Sequence, residues 1–494
     1  MLKRLSIAAR GIIFFAALLA SCSPQGGAIL TRDSGIQAPA QQEQPEPTRL
    51  PTRRQFEPGE QVDYLAQTGD TLPALAAHFN TTIKEIRQAN PVIPQDVTTL
   101  PPGLPLKIPI YYQSLWGSEF QIIPDSLFIY GLAQVGFDAA EYVRASSGWF
   151  RTYTAYAGGM QRTGGELVEH IAINYSISPR LLLAILEYQT GALTRITSPD
   201  PQNPYPLGLQ QREYQGLYAQ LVFAANLLNN AYYGWRTGEL KSLETIDGRI
   251  EIPDPWQNAA TVALHVYFAS IYTQDEYETA IHAAGLQQTY TELFDDPWSG
   301  ETPHIPGSLQ QPDFLFPFQI GASWAYTGGP HTGWGNGLPL AAIDFAPPSV
   351  VGGCEPSFEW VTAVADGVIV RTDIGIAVLD LDGDENEQTG WVIFYLHLAS
   401  ENKAAVGSIM KAGDPVGHPS CEGGRATGTH IHIARKYNGE WISADGALAF
   451  NLEGWNARNG NAPYEGTLER FGKIVYACTC SDITSQVQSL GPKQ

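Results

Sequence analysis

Between residues 62 and 110 the spacing of apolar positions changes three times. Val62 and Tyr64 alternate as in a short strand, while Leu72, Leu75, Ala76 and Phe79 recur at helical spacing. Ile83, Ile86 and Ala89 line a second helix, which Thr82 can cap with Glu85 three residues on. Leu104, Leu106 and Ile108 alternate again, as in a closing strand. The pattern predicts a small βααβ unit over residues 60–112. Residues 115–308 read as mostly helical. Leu167, Ile171 and Ile173, then Leu181, Leu182 and Ile185, follow a 3.6-residue period, with Ser178 and Pro179 placed as N-cap and first turn. Two further helices are written in "EYQGLYAQLVFAANLLNNAYYGW" and the almost wholly apolar "NAATVALHVYFASIY".

From residue 314 the texture turns to glycine, proline and short β-rich runs. "WVTAVADGVIVRT", "GWVIFYLHLA", "AGDPVGHPS" and "THIHIARKY" predict successive strands of an antiparallel sheet domain over 314–482, followed by a tail, 483–494. The fold class expected is therefore multidomain α+β. Two histidines in "HIH", His430 and His432, share one strand face, and alternation in "IFYLHL" places His397 with Ile393 and Tyr395.

Charge and the N-terminus add a location. The 494 residues carry a net charge of −21, which argues against nucleic acid as a partner. Lys3, Arg4 and Arg10 precede an apolar run that is too short to span a membrane and reads as a signal peptide, residues 1–22. Residues 23–59, rich in Gln, Pro and Thr, read as a disordered tether. Outside the cytoplasm the cysteines at 354, 421, 478 and 480 suggest two disulfides. Because Cys478 and Cys480 are one residue apart, each is expected to pair with Cys354 or Cys421.

Several segments resemble known families. "LASC", ending at Cys22, resembles a bacterial lipobox, which implies cleavage before Cys22 and a lipid anchor on it, and hence a place in the cell envelope. Residues 60–112, with "TGDTL" and "ANP", resemble a LysM domain. That resemblance implies a groove for N-acetylglucosamine glycans lined by Gly69, Asp70, Thr71, Leu72, Asn90, Pro91 and Val92. The helical segment resembles the lysozyme-like transglycosylase scaffold through "PRLLLAILEYQTG" and "PLGLQQ". However, Gln189 stands where that family has its general-acid Glu, and an amide cannot protonate a glycosidic oxygen. The expectation is a non-catalytic domain.

"DFAPP", "VADGVIV", "YLHL", "AGDPVG" and "THIHI", in that order, resemble the lysostaphin-type (LytM-like) zinc metallopeptidases, which cleave peptide bonds of peptidoglycan. The resemblance makes Asp344 and His432 zinc ligands, and His397 and His430 the pair that activates water and stabilises the oxyanion. In the commoner branch the first ligand would fall on Leu340, which cannot bind zinc. The staphylolysin and beta-lytic branch opens with Trp, then Gly-Gly-Ala-His and a long loop. Here Trp324 and "GGPH" lead to His331, with twelve residues between it and Asp344, so His331 is expected to be the third ligand. Asp380, Asp382 and Asp384 alternate like the start of a calcium loop, but Glu385 and Trp391 break the EF-hand pattern and leave a solvated hairpin as the default. The sequence as a whole reads as an exported cell-wall endopeptidase acting on peptidoglycan glycan strands and cross-link peptides. A wall-binding protein with a degenerate metal site, and a transglycosylase acting through the middle domain, are the alternatives.

Overall fold

A computed structural model describes residues 54–492 except 115, 199, 201, 301, 350 and 481. Cys22 and nearly all of the tether lie outside the described residues. Within them the βααβ unit forms as its pattern predicts: β1 (Glu60–Leu65), α1 (Leu72–His78), α2 (Ile83–Ala89) and β2 (Pro105–Ile110), with β1 antiparallel to β2. Thr71 caps α1, and Thr82 with Glu85 closes a capping box on α2. Leu75, Phe79, Ile86 and Ile108 are fully buried between them.

The middle segment holds α3 (Ala139–Ala145), the hairpin β3 (Thr154–Ala157) and β4 (Met160–Thr163), α4 (Gly164–Tyr175), α5 (Pro179–Thr190) and α6 (Leu217–Thr237). The short pair β5 (Leu243–Glu244) and β6 (Ile250–Glu251) precedes α7 (Ala259–Ala269), α8 (Gln274–Ala280) and α9 (Gln288–Phe294). Ser178 accepts from the Leu181 amide, as an N-cap should.

The C-terminal domain is built on an antiparallel sheet of nine strands. In chain order its members begin with β7 (Ser323–Thr332) and β8 (Leu340–Ala346). Next come β9 (Val361–Thr362), which belongs to a separate pair, then β10 (Gly367–Asp373), β11 (Ile376–Asp380), β12 (Trp391–Leu396) and β13 (Ile409–Met410). β14 (Pro415–Gly417) pairs with β9, and β15 (Ile431–Tyr437) carries β16 (Glu440–Trp441) at its end. β17 (Asn451–Leu452), β18 (Trp455–Asn459), β19 (Gly466–Arg470) and β20 (Lys473–Tyr476) make a second sheet, and β21 (Gln486–Gln488) returns to the first. The order across the large sheet is β13, β10, β11, β12, β15, β8, β7, β21.

Strand β12, "WVIFYL", is buried at every position. A strand without polar alternation is one covered on both faces, and this is the case here. Phe394 and Leu396 join the core of the helical segment, whereas Ile393 and Tyr395 join a core shared with the second sheet through Phe450, Leu452 and Leu468. The helices thus pack directly on one face of the nine-stranded sheet.

The disulfides differ from expectation. Cys354 bonds Cys421 with Cα atoms 5.7 Å apart, and Cys478 bonds Cys480 with Cα atoms 5.1 Å apart. A single intervening residue still places two Cα atoms at a distance a disulfide spans. Cys478 is held beside β7 by its amide on the Tyr326 carbonyl, so the pair closes locally after β20. Among the described residues no helix is long and apolar enough to cross a membrane.

Candidate metal centre

β8 and β15 are neighbours, and their register sets His432 opposite Asp344. β7 lies on the other side of β8 with Gly328 opposite Asp344 and a slipped register up to His331. The slip follows from the glycines. A Cβ on Gly328 would overlap the Asp344 carboxylate, so only glycine lets the carboxylate occupy that space. Three side chains therefore converge. His331 Nε2 lies 3.0 Å from His432 Nδ1 and 3.2 Å from Asp344 Oδ1, and His432 Nδ1 lies 3.4 Å from the same oxygen.

The other ring nitrogens fix the tautomers. His331 Nδ1 donates to the Gly329 carbonyl at 2.8 Å, and His432 Nε2 donates to the Gly333 carbonyl at 3.1 Å. Each neutral ring has one proton, spent on a carbonyl that can only accept. The two facing nitrogens thus present lone pairs to each other and to a carboxylate, all three groups buried. Asp344 Oδ1 receives no aligned hydrogen bond. Burial would raise the Asp344 carboxyl, but His331 and His430 hold it well below the usual carboxylate range. Buried lone pairs that meet in this way call for a cation between them. Two imidazoles and a carboxylate with edges of 3.0 to 3.4 Å suit a tetrahedral ion with bonds of about 2.0–2.2 Å.

His397 and His430 sit beside the triangle, with ring centroids 4.5 Å apart. His397 Nδ1 donates to the Glu422 carbonyl and His430 Nδ1 to the Gly428 carbonyl, each at 2.8 Å. That leaves both Nε2 atoms for the cleft, with His430 Nε2 3.7 Å from Asp344 Oδ2. Burial, helped by His430 and His432, pushes His397 down to about 4, so it is neutral at pH 7. Its position needs a correction. Strand alternation would leave His397 on the face of Ile393 and Tyr395, away from His432. Instead β12 ends at Leu396 and His397 takes φ +71°, which turns its ring into the cleft. A left-handed histidine is uncommon and costs on the order of 1 kcal/mol or more.

The cleft around these groups has a volume of about 1550 Å³ and is walled by the 346–359 loop, the 424–430 loop and Tyr464. Tyr464 stacks on His331 at 4.1 Å. Sequence reasoning missed it, because it comes from a turn before β19 with no motif of its own. The tyrosines near the motif do other work: the Tyr395 hydroxyl accepts the Val364 amide in the core, and Tyr437 packs on Trp391. The loop after His331 is fixed from outside the domain. In α6, Asn226 Oδ1 accepts the Asn336 amide and Asn230 Oδ1 the Leu338 amide, each at 2.7 Å.

The expected glycan-lining residues fare unevenly. Asn90 is buried and bonds the Ile86 and Lys107 backbone, Asp70 accepts from the Tyr64 hydroxyl and the Gln67 amide, Thr71 caps α1, and Leu72 is core. Pro91 and Val92 are exposed, and Gly69 lies against Arg236 of α6. In the middle segment the Gln189 amide accepts from the Tyr267 hydroxyl and donates to the Leu207 carbonyl. Glu187 accepts from the Leu193 amide and the Thr194 hydroxyl, so neither side chain offers a free acid there. The carboxylates of Asp380, Asp382 and Asp384 fall within 4.8 Å of one another, but each accepts amides of its own loop, and nothing supports a calcium ion at them.

Residues 64–109 match the LysM domain family, and residues 121–308, where the sequence resembled a lysozyme-like scaffold, match the family described as "LasA, N-terminal domain". The beta-lytic metalloendopeptidase of Lysobacter enzymogenes is 30% identical over 164 residues, 32% of this chain and 85% of that protein. The chain belongs to the lysostaphin-type (LytM-like) metallopeptidases. Within that family, protease LasA of Pseudomonas aeruginosa is 25% identical over 375 residues, 70% of this chain and 80% of that protein. A solved structure titled as a novel M23 metalloprotease, pseudoalterin, from the deep sea is 26% identical, with 34% of this chain and 96% of that chain covered and a TM-score of 0.29. This LytM-like chain therefore joins a LysM module and a LasA-type N-terminal domain to a peptidase sheet.

Proposed function

We propose that the chain is an exported zinc endopeptidase that cuts peptide cross-links of peptidoglycan, with its LysM module holding glycan. The observation that supports this reading is the triangle of buried, facing lone pairs on His331, Asp344 and His432. These residues would hold Zn²⁺, which when bound supplies Lewis-acid polarisation of the scissile carbonyl and lowers the pKa of a water. The chain's own groups do the rest. His430, with Nε2 open to the cleft and Asp344 beside it, takes the proton of the attacking water and passes it to the leaving amine. His397, fixed by its Nδ1–H on the Glu422 carbonyl, presents Nε2 as an alternative acceptor for the water's proton, and once protonated there it donates Nε2–H towards the developing oxyanion. The 346–359 wall, pinned by the disulfide between Cys354 and Cys421, keeps the peptide against these groups.

The helical domain is, in this proposal, a scaffold without glycosidase chemistry: Asn226 and Asn230 hold the loop that follows His331. A signal peptide and lipid anchor at Cys22 would deliver the chain to the cell envelope. The test is metal analysis together with mass spectrometry of digested sacculi. One zinc per chain and new peptide termini are expected. A chain that stays metal-free and inert after zinc addition overturns the endopeptidase reading, and anhydro-sugar products would move the chemistry to the middle domain.

A further inference from the structure

The segment His304–Leu309 joins the helical domain to the peptidase sheet, and its two sides differ in chemistry. Ile305 and Leu309 turn towards the peptidase domain and are buried in one apolar cluster with Trp391 and Ile442. The main chain turns the other way, onto the LysM module. There the Thr68 hydroxyl accepts the Ile305 amide at 2.9 Å, and the Thr99 hydroxyl donates to the Pro306 carbonyl at 2.7 Å and accepts the Leu309 amide at 3.1 Å. The Ser308 amide donates to the Thr99 carbonyl, and the Thr98 hydroxyl donates to the Leu309 carbonyl at 2.7 Å. Gly307 lies so close to Pro101 that a Cβ would come within 2.6 Å of its ring.

These LysM contacts come from two loops, one leading from β1 to α1 and one leading from α2 to β2. The loops are themselves tied by the Leu100 amide on the Asp70 carbonyl. The same face is closed further by Arg236, which lies over Gly69 and donates to the Thr68 carbonyl. Beyond the covered part, Pro91 and Val92 stay open to solvent, Val92 with 74% of its surface exposed. A row of hydroxyls and backbone groups that binds a main chain offers the same donors and acceptors to a polysaccharide, whose amides and hydroxyls are of like chemistry.

We propose that His304–Leu309 is an internal occupant of the LysM groove, and that a glycan of N-acetylglucosamine type must displace it to bind. This rests on the reading of the LysM module as a glycan binder. The segment is latched at its start as well. The His304 ring bonds Glu440 Oε2 at 2.6 Å, Asn438 donates to the His304 carbonyl at 2.6 Å, and Glu440 pairs with Arg236 at 3.1 Å. One ring of contacts therefore runs from the LysM loop through Arg236 and Glu440 to the connecting segment and back. Glu440 belongs to β16, paired to the strand that bears His432. A glycan that opens the ring disturbs the peptidase sheet at the end far from the metal triangle.

Competition of this kind lowers apparent affinity by the fraction of time the groove is open. The experiment uses the full-length zinc-loaded chain and chitohexaose as the probe. Gly307→Val sets a side chain against Pro101 and pushes the segment off its seat without substituting any LysM residue. It is expected to bind chitohexaose at least about fivefold more tightly than wild type by calorimetry. In the wild type, hydrogen exchange at the amides of Ile305, Ser308 and Leu309 should be slow in the free chain, where each is hydrogen-bonded, and should speed up when chitohexaose binds. Binding that leaves these amides protected, or equal Kd values for the two chains, overturns the proposal while the glycan-binding reading stands. Absence of binding by either chain overturns both.

Discussion

Two buried histidine–carboxylate clusters sit near opposite ends of β15 and its partner β16, and they are built in opposite ways. At one end His331, Asp344 and His432 bring two imidazole nitrogens and a carboxylate together with no arginine or lysine among them. At the other end His304 and Glu440 meet Arg236, whose guanidinium also pairs with Asp125 at 3.2 Å, while Tyr232 donates to Glu440 at 3.0 Å. The second cluster balances its charge from the chain itself. The first has no arginine or lysine to balance its carboxylate, and in the proposed reading a metal ion does so. The lesson is that burial and residue type do not separate a metal site from a structural lock; the count of donors and cations does.

That contrast is open to direct attack. The largest effect is expected from His331→Ala or Asp344→Asn. Zinc should fall from one per chain to background, and release of new peptide termini should drop to below about a thousandth of wild type. Leu340→His placed on the His331→Ala chain should restore neither, because position 340 begins a strand beyond the loop. Rescue by Leu340→His would break the assignment.

Next in size is Glu440→Gln, which leaves Arg236 short of a buried partner. A loss of about 3–5 kcal/mol in unfolding free energy is expected, with zinc per folded chain unchanged. A variant that loses zinc at normal stability would mean that the two clusters are not distinct in kind. Asn230→Ala should be milder. It frees the loop after His331 without removing a ligand, so zinc affinity, read by competition with a chromophoric chelator, should fall by about 10–100-fold with little change in melting temperature.

The smallest effect concerns pH at the LysM junction. His78 is buried, stacked 3.5 Å over Trp235, and donates Nε2–H to the Trp235 carbonyl, and burial pushes its pKa down from 6.5 to about 3. A histidine with a depressed folded pKa takes up its proton first in the unfolded chain. Its contribution is therefore complete above pH 6.5 and shrinks as pH falls towards 3. His78→Phe keeps a stacked ring without the titration. The difference in melting temperature between wild type and variant should change steadily over that window and be flat above it. A constant difference would show that His78 takes up its proton equally in the folded and unfolded chains.

Much of the fold was legible because it is local. The period changes from 62 to 110, the Thr82–Glu85 box, the Ser178–Pro179 start and the unbroken apolar run of β12 each encode their element within a few residues. The proposed ligands were suggested by resemblance: "GGPH" and "THIHI" match the staphylolysin and beta-lytic branch, and in the structure His331, rather than Leu340, lies beside Asp344 and His432. Other features depended on atoms that are distant in sequence. Alternation predicts the wrong face for His397, because the turn that rescues it is held by the Glu422 carbonyl 25 residues on. The pairing of Cys354 with Cys421 needed two loops to meet at the cleft, and Tyr464 reached His331 only through the second sheet. The seat of His304–Leu309 on Thr68 and Thr99 was invisible for the same reason: a main chain binding hydroxyls leaves no side-chain pattern to read. The sequence alone determined the modules, their elements and the donor types. Tertiary structure decided which donors face one another without a proton, and which LysM surface is already occupied, because both depend on where backbone carbonyls and amides from remote segments come to rest.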